Sequence, residues 1–74
     1  MDSTTVNVKF GEYIRSARVN KKIMQKELAK KLDITPAYYC QIENGKRNTD
    51  FFLAMKICDI LELDLNDFVR ALKN

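Results

Sequence analysis

Apolar residues at helical spacing, separated by short polar segments, are the feature that most constrains this chain. Phe10, Ile14 and Ala17 follow an i, i+4, i+7 pattern, and a similar spacing returns in three later segments. Two glycines, one proline and almost no alternating β-branched stretch leave little basis for strands. The pattern therefore predicts an all-α fold of short helices joined by short turns.

Capping residues divide the chain into five predicted helices. The hydroxyl of Thr35 can cap a helix, Pro36 suits the first helical position, and Gly45 suits a left-handed C-terminal cap. Asp50 and Asp64 are expected to cap two further helices. We expect helices over about 8–19, 25–32 and 36–44 and after each of these two aspartates, with a flexible N-terminal segment over 1–7 and one domain over 8–74.

Length and residue types exclude most catalytic functions. A domain of 74 residues buries only about 60% of its unfolded surface, so an enclosed substrate pocket would use up most of its core. The chain has no histidine, and Cys40 and Cys58 lack the spacing of a zinc site. We therefore expect no enzyme, metal, cofactor or small-molecule ligand.

No apolar run approaches the roughly 20 residues that span a bilayer, and no signal-peptide pattern is present at the start. We expect no membrane association and a cytoplasmic location, with both thiols reduced.

Charge is distributed unevenly along the chain. Residues 1–47 hold ten Lys or Arg against five Asp or Glu, a net charge of +5, whereas residues 48–74 hold three against five, a net charge of −2. A basic front and a mildly acidic rear suit a protein that binds a polyanion with one side. The alternative is a solvated surface that is uneven by chance.

One segment carries a specific motif. It begins Gln-x-Glu-Leu-Ala at Gln25, passes through a short turn, and ends with Ile-Glu-x-Gly from Ile42. This segment resembles the helix-turn-helix of the Cro/CI-type family, also called the xenobiotic-response-element family. Its members include lambdoid phage repressors, SinR-like regulators and restriction–modification controller proteins. The resemblance covers about residues 8–72.

The resemblance implies a compact five-helix bundle of the lambda-repressor-like DNA-binding domain type, with its helix-turn-helix at about 25–44. It also implies a homodimer that places helix 36–44 in the major groove of double-stranded DNA. By position, it implies a phosphate contact at Gln25, a base contact at Gln41 and a loop from Asn44 to Lys46 that lies on the DNA backbone. It also implies that Arg18 and Glu43 form a buried ion pair.

The sequence departs from the family pattern at several positions. Met24 stands where the family favours a Thr or Ser cap, and Asp33 replaces the usual turn glycine. Pro36 and Ala37 occupy positions that are polar and contact bases in some relatives. The base preferences of those relatives therefore do not apply directly to this sequence.

Side chains on the outer face of the third helix are the candidates for base contact. Gln41 can form two hydrogen bonds with adenine, and Tyr38, one turn earlier, can stack on sugar or touch a thymine methyl. Ala37 is small enough to pack on a thymine methyl. Tyr39 is expected to face the core beside Ile42. The alternative for Gln41 is an ordinary solvated side chain.

A second group is expected to contact phosphate. Lys46 and Arg47 follow the third helix, where the chain leaves the groove, and Lys26 and Thr35 lie at the start of the second and third helices. Free backbone N–H groups at the start of the second helix add a phosphate site beside Gln25. The alternative is that individual lysines are merely solvated.

The acidic rear holds more apolar side chains than one small core needs. We expect a dimer interface there that includes Phe51, Phe52, Leu63 and Leu65, and the alternative is additional core.

The combined hypothesis is a sequence-specific DNA-binding transcriptional regulator, such as a repressor, that acts as a homodimer on a two-fold operator. The choice between a phage repressor and a restriction–modification controller stays open. The alternative is a protein-interaction module, antitoxin-like or an antirepressor partner, because Pro36 and Ala37 are non-polar.

Overall fold

Helices form nearly all of the regular structure. The computed structural model describes residues 2–73, and within that range it contains five α-helices and no strand. The helices are α1 (Ser3–Asn20), α2 (Gln25–Leu32), α3 (Pro36–Glu43), α4 (Phe51–Ile60) and α5 (Leu65–Lys73). The all-α prediction is confirmed, and the bounds of α2 agree with the expected ones. No helix in residues 2–73 has the length and apolar composition needed to cross a bilayer.

The start of α1 differs from the sequence expectation. The helix begins at Ser3 rather than near residue 8, because the Asp2 carboxylate caps it by accepting a hydrogen bond from the Thr5 N–H at 2.8 Å. Val6 packs against the core, and the Asn7 side chain donates to Asn48 at 2.6 Å. The assignment of residues 3–7 to a flexible segment is therefore corrected: they form the first turn and a half of α1.

The turn between α2 and α3 follows the local chemistry of its residues. Asp33 adopts a left-handed conformation with φ of 59°, which Asp tolerates better than most residues. The Thr35 hydroxyl accepts from the Tyr38 N–H at 3.1 Å, and Pro36 occupies the first turn of α3. The predicted start of the third helix is confirmed.

The start of α2 has only half of a capping box. The Met24 side chain makes no capping hydrogen bond and is half exposed, whereas the Glu27 carboxylate accepts from the Met24 N–H at 3.1 Å. The Glu27 N–H, which a Thr or Ser cap would satisfy, donates to the Met24 carbonyl at 3.1 Å instead, and the N–H groups of Gln25 and Lys26 remain available to another acceptor.

The core lies between all five helices. Ring contacts attach α5 to α1: Phe68 lies 5.3 Å from Phe10 and 5.3 Å from Tyr13, measured between ring centroids. Cys58 is buried, as expected from its place in the apolar stripe of α4. The remaining core is built from apolar side chains of α1 to α4 and the residue after α4, namely Ile14, Leu28, Ala29, Leu32, Tyr39, Ile42, Ala54, Ile57 and Leu61.

Helices α1 and α3 approach each other closely at Gly11. A Cβ atom at this position would lie 2.2 Å from the Glu43 carbonyl oxygen and 2.8 Å from that of Ile42, both of them backbone atoms. Because Gly11 has no side chain, the C-terminal end of α3 packs directly against the backbone of α1 at this position. This contact was not anticipated from the sequence, from which Gly11 was assigned no role, and it explains a glycine inside a helix, where glycine is ordinarily unfavourable.

Gly45 has the other constrained glycine backbone. Its φ of 73° is left-handed, as predicted for the cap of α3, and an added Cβ would lie 2.7 Å from the Cα of Val8. The loop after α3 therefore also packs against α1.

We predict that Gly11→Ala lowers the free energy of unfolding by about 1–3 kcal/mol, the usual cost of overpacking. The loss should appear even though alanine favours helix by about 1 kcal/mol over glycine. Thermal melts of the parent protein, Gly11→Ala and Ser16→Ala measure the loss. Ser16→Ala is the control, because Ser16 is exposed in the same helix. A midpoint for Gly11→Ala equal to or above that of the parent would contradict direct backbone contact of α1 with α3.

Candidate nucleic-acid interface

The outer face of α3 presents the side chains expected to contact bases. Burial of Tyr39, Ile42 and Glu43 fixes which side of the helix faces inward. On the opposite side, Gln41 is exposed and Tyr38 is half-buried one turn before it. Ala37 is exposed at the start of the helix. The structure therefore brings the three predicted base-contacting residues to one surface.

Arg47 lies on this same surface. Its Nε donates to the Gln41 Oε1 at 2.7 Å, and its guanidinium carbon lies 4.7 Å from the centroid of the Tyr38 ring. The expectation from the sequence was a phosphate contact beyond the end of α3. Instead the side chain crosses the outer face of the helix and joins two of the candidate base-contacting residues.

Other candidate phosphate contacts surround this face. Lys26 is exposed in the first turn of α2, and Lys46 and Asn44 are exposed just after α3. The Asn44 amide lies 3.5 Å from the Cys40 sulfur, and the Lys46 N–H donates to the Gln41 carbonyl at 2.9 Å. The chain thus turns back tightly after α3 and leaves the Lys46 ammonium at its edge.

Two further residues that were predicted to contact phosphate, Thr35 and Gln25, form hydrogen bonds within the protein. The Thr35 hydroxyl caps α3, as described above. The Gln25 Nε2 donates to the Glu43 Oε1 at 2.9 Å, and the residue is half-buried. Gln25 was assigned only a role toward DNA, but one of its two amide hydrogens is used inside the protein.

Glu43 is the centre of a buried hydrogen-bond network. Its side chain is only 1% exposed and that of Arg18 is 11% exposed. Arg18 donates from Nε to Oε2 at 2.6 Å and from Nη2 to Oε1 at 3.2 Å, and its Nη1 donates to the Ile23 carbonyl at 2.7 Å. The structure therefore brings together Arg18 and Glu43, the two residues that the resemblance pairs.

The Tyr39 hydroxyl completes the network. It donates to the Glu43 Oε2 at 2.5 Å, and every buried side-chain nitrogen and oxygen in residues 2–73 has a partner. The sequence analysis placed Tyr39 in the core but missed the role of its hydroxyl. The signal for this contact in the sequence was the i, i+4 spacing of Tyr39 and Glu43, which makes the two side chains neighbours on one face of a helix.

The pKa directions agree with an ionised network. Burial by itself would raise the pKa of Glu43, but hydrogen bonds from Arg18, Tyr39 and Gln25 outweigh burial and hold this pKa below its ordinary value. The hydrogen bond to Glu43 raises the pKa of Arg18. Burial, followed by the adjacent carboxylate, raises the pKa of Tyr39, so its hydroxyl stays a donor.

The predicted dimer residues line two recesses that share Lys56. Phe51, Leu63 and Leu65 line a groove of about 490 Å³ between α4 and α5, together with Met55. Phe52 is 77% exposed and faces a separate recess beside Tyr38 and the turn of the helix-turn-helix. Leu63 and Leu65 also pack partly against the core. The Phe51 and Phe52 rings nevertheless meet edge to face, with their centroids 6.2 Å apart, so the two recesses adjoin.

The metal-ligating residue types are scattered. Within residues 2–73, no three Cys, Asp or Glu side chains lie close enough together to hold a metal ion. Cys40 and Cys58 are both free thiols. The chemistry available at the α3 surface is accordingly hydrogen bonding, stacking and charge.

Comparisons with known proteins agree with this arrangement. The sequence matches the helix-turn-helix family over residues 14–68. It is 32% identical over 65 residues to an HTH-type transcriptional regulator, YqaE of Bacillus subtilis (strain 168), with 88% of this chain and 56% of that protein covered. It is also 32% identical over 63 residues to the control protein C.MunI of Mycoplasma sp, with 84% of this chain and 85% of that protein covered. The chain thus spans little more than half the length of YqaE.

A solved structure is similar over most of the fold. The crystal structure of the clp gene regulator ClgR from Corynebacterium glutamicum superposes with a TM-score of 0.82 at 25% sequence identity. The superposition covers 86% of this chain and 68% of that one.

We predict that Arg18→Ala lowers the free energy of unfolding by about 3–5 kcal/mol, because it leaves the buried Glu43 carboxylate without its main partner. Chemical denaturation of the two proteins measures the difference. An Arg18→Ala variant that unfolds at the same denaturant concentration as the parent would contradict the buried network.

A combined variant serves as the control. Arg18→Met with Glu43→Leu removes both charges, but it leaves the Tyr39 hydroxyl buried without its acceptor. We expect this double variant to recover part of the lost stability and the addition of Tyr39→Phe to recover more.

Proposed function

Since this chain belongs to the helix-turn-helix family of DNA-binding transcriptional regulators, we propose that it binds a specific operator sequence as a homodimer, with helix 36–44 in the major groove. One observation carries the proposal furthest. The outer face of α3 presents polar side chains in an ordered arrangement, while the Arg18–Glu43 network fixes its buried end against α1.

Direct base recognition requires side chains that reach into the major groove. The groove admits one α-helix, and its base edges present distinct patterns of donors and acceptors. Gln41 and Tyr38 supply hydrogen-bonding groups and an aromatic face, and Ala37 supplies a small apolar contact at the start of α3. The face is long enough for a few base pairs per subunit, which suits a half-site.

Phosphate contacts position the helix in the groove. The exposed Lys26 and Lys46 flank the two ends of the helix-turn-helix, and Asn44 lies beside Lys46. The uncapped start of α2 directs backbone N–H groups outward, where a phosphate oxygen can accept them. Gln25 keeps a second amide hydrogen for the same phosphate while it holds Glu43 with the first. Thr35 stands at the entrance of α3 as a further polar contact.

The charge distribution supports an arrangement in which the α3 side of the protein faces DNA. The excess of positive charge lies within residues 1–47, which include α2, α3 and the loop after them. The C-terminal helices carry the excess of negative charge. DNA on the α3 side therefore meets a favourable field, and the α4–α5 side remains for a second subunit.

We infer that the second subunit docks at the groove between α4 and α5. Phe51 is 65% exposed at the edge of this groove, and Leu63 and Leu65 form its walls. A dimer doubles the contact with DNA, which a module this small needs because one such module buries only about 600–1,000 Å² on DNA. Two copies of α3 would then enter major grooves about 34 Å apart, one helical turn.

A protein-interaction module on the same fold is the competing function. The apolar Pro36 and Ala37 at the start of α3 and the exposed Phe51 and Phe52 favour it. The basic, hydrogen-bonding face of α3 favours DNA. Binding experiments with duplexes of different sequence separate the two functions.

We predict different effects for two substitutions on the DNA face. Gln41→Ala should weaken binding to the selected operator by about 1–3 kcal/mol and leave binding to a scrambled duplex nearly unchanged. Lys46→Ala should weaken binding to both duplexes alike and lower the salt dependence by about one ion per subunit. Fluorescence titrations at several salt concentrations, after selection of sites from random duplexes, measure both effects. If the parent protein selects no sequence, the interaction-module function takes the place of this proposal.

We predict that the protein sediments as a dimer of the 8.6 kDa chain at micromolar concentration. Phe51→Asp should shift it to monomer, because a carboxylate at the groove would be buried without a partner. Val19→Asp, an exposed change at the end of α1, is the matched control and should stay dimeric. A monomeric parent protein, or a dimer that Phe51→Asp leaves intact, would count against this interface.

A further inference from the structure

Three side chains form a fixed cluster on the outer face of α3. The Arg47 guanidinium lies 4.7 Å above the Tyr38 ring centroid, and its Nε donates to the Gln41 Oε1 at 2.7 Å. Arginine over an aromatic ring is stabilised by the ring quadrupole, and the hydrogen bond to Gln41 fixes the rotation of the guanidinium about its stem. The cluster joins two positions on α3, one turn apart, with a residue from the loop that follows.

The hydrogen-bonding groups that remain free on Arg47 and Gln41 are mostly donors. Among residues 2–73, no acceptor is hydrogen-bonded to the Arg47 Nη1 or Nη2 or to the Gln41 Nε2. The acceptor of the pair, the Gln41 Oε1, already accepts a hydrogen bond from the Arg47 Nε with one of its two lone pairs. The Arg47–Gln41 pair therefore offers a row of N–H groups to whatever lies against α3.

This row of donors distinguishes among the purines. Guanine presents two acceptors in the major groove, N7 and O6, and the guanidinium fork matches them in a bidentate contact. Adenine presents an acceptor at N7 and a donor at N6, so its recognition by glutamine needs a free amide oxygen. In the Arg47–Gln41 pair, Arg47 occupies one of the two lone pairs of that oxygen, so the pair has less acceptor capacity for adenine than a free glutamine has.

We propose that the Arg47–Gln41 pair, supported by the Tyr38 ring, acts as one unit that recognises guanine in each half-site. This inference rests on the proposed function, since it names the base chemistry of the same DNA face. It changes the role of two residues. Arg47 becomes a specificity-determining residue rather than a phosphate contact. Gln41 acts together with Arg47 on guanine, rather than acting alone on adenine.

The substitution Arg47→Lys separates the two roles of Arg47. Lysine keeps the positive charge, so it replaces arginine at a phosphate, but it lacks both the planar fork and the Nε donor that contacts Gln41. We expect site selection with the parent protein to enrich guanine at one position per half-site. We expect Arg47→Lys to bind the selected duplex about 5- to 150-fold more weakly, to lose the guanine preference, and to bind a scrambled duplex like the parent.

A double-mutant cycle tests whether the pair acts as a unit. Arg47→Ala and Gln41→Ala are measured singly and together on the selected duplex, and the combined loss should be clearly smaller than the product of the single fold-losses. Lys46→Ala combined with Gln41→Ala is the matched comparison, and its losses should multiply. Arg47 and Gln41 are exposed, so the melting midpoints of these variants should stay near that of the parent.

The outcomes separate this inference from the proposed function. If the parent selects a sequence but Arg47→Lys binds it unchanged, or if the selected position is adenine, the guanine unit is overturned and the regulator function stands. If the losses of Arg47→Ala and Gln41→Ala simply multiply, the two side chains act independently and the inference also fails. A parent protein that selects no sequence overturns the proposed function, and this inference with it.

Discussion

The hydrogen bonding of the buried Glu43 carboxylate is the interaction on which the position of α3 depends. The carboxylate lies at the C-terminal end of α3 and accepts hydrogen bonds from Arg18 in α1, Gln25 in α2 and Tyr39 in α3. An unpaired charge in this position would be strongly disfavoured, so the three helices must keep the relative positions that satisfy it. The angle at which α3 is presented to solvent follows from that requirement.

Close backbone packing makes the same arrangement rigid. Gly11 lets the carbonyl groups at the end of α3 approach α1 without an intervening side chain, and Gly45 lets the next loop approach Val8. Because packed interiors do not deform continuously, these contacts and the carboxylate network together define one position for α3. For the function proposed above, a rigid support of this kind would let a few exposed side chains, such as Tyr38 and Gln41, contact bases with little loss of conformational entropy on binding.

Local signals in the sequence accounted for most of the fold and for the position of the candidate site. Thr35 and Pro36 start α3 and Asp50 starts α4 as their capping chemistry predicts. The start of α1 was placed too late, because Asp2 was not recognised as its cap and because the contacts of Val6 and Asn7 with the rest of the fold are tertiary ones. The expected dimer residues were grouped by composition, and the structure adds that Phe51 and Phe52 line two adjoining recesses while their rings meet edge to face.

The sequence by itself determined the number of helices, the turn chemistry and the motif of the helix-turn-helix, because spacing and capping act between residues a few positions apart. Only the tertiary structure decided which groups of a side chain are free. Gln25 uses one amide hydrogen on Glu43, and Arg47 folds back over Tyr38 to bind Gln41. These partners come from different helices or from across a loop, and a hydrogen bond depends on distances of a few tenths of an ångström that residue spacing does not specify.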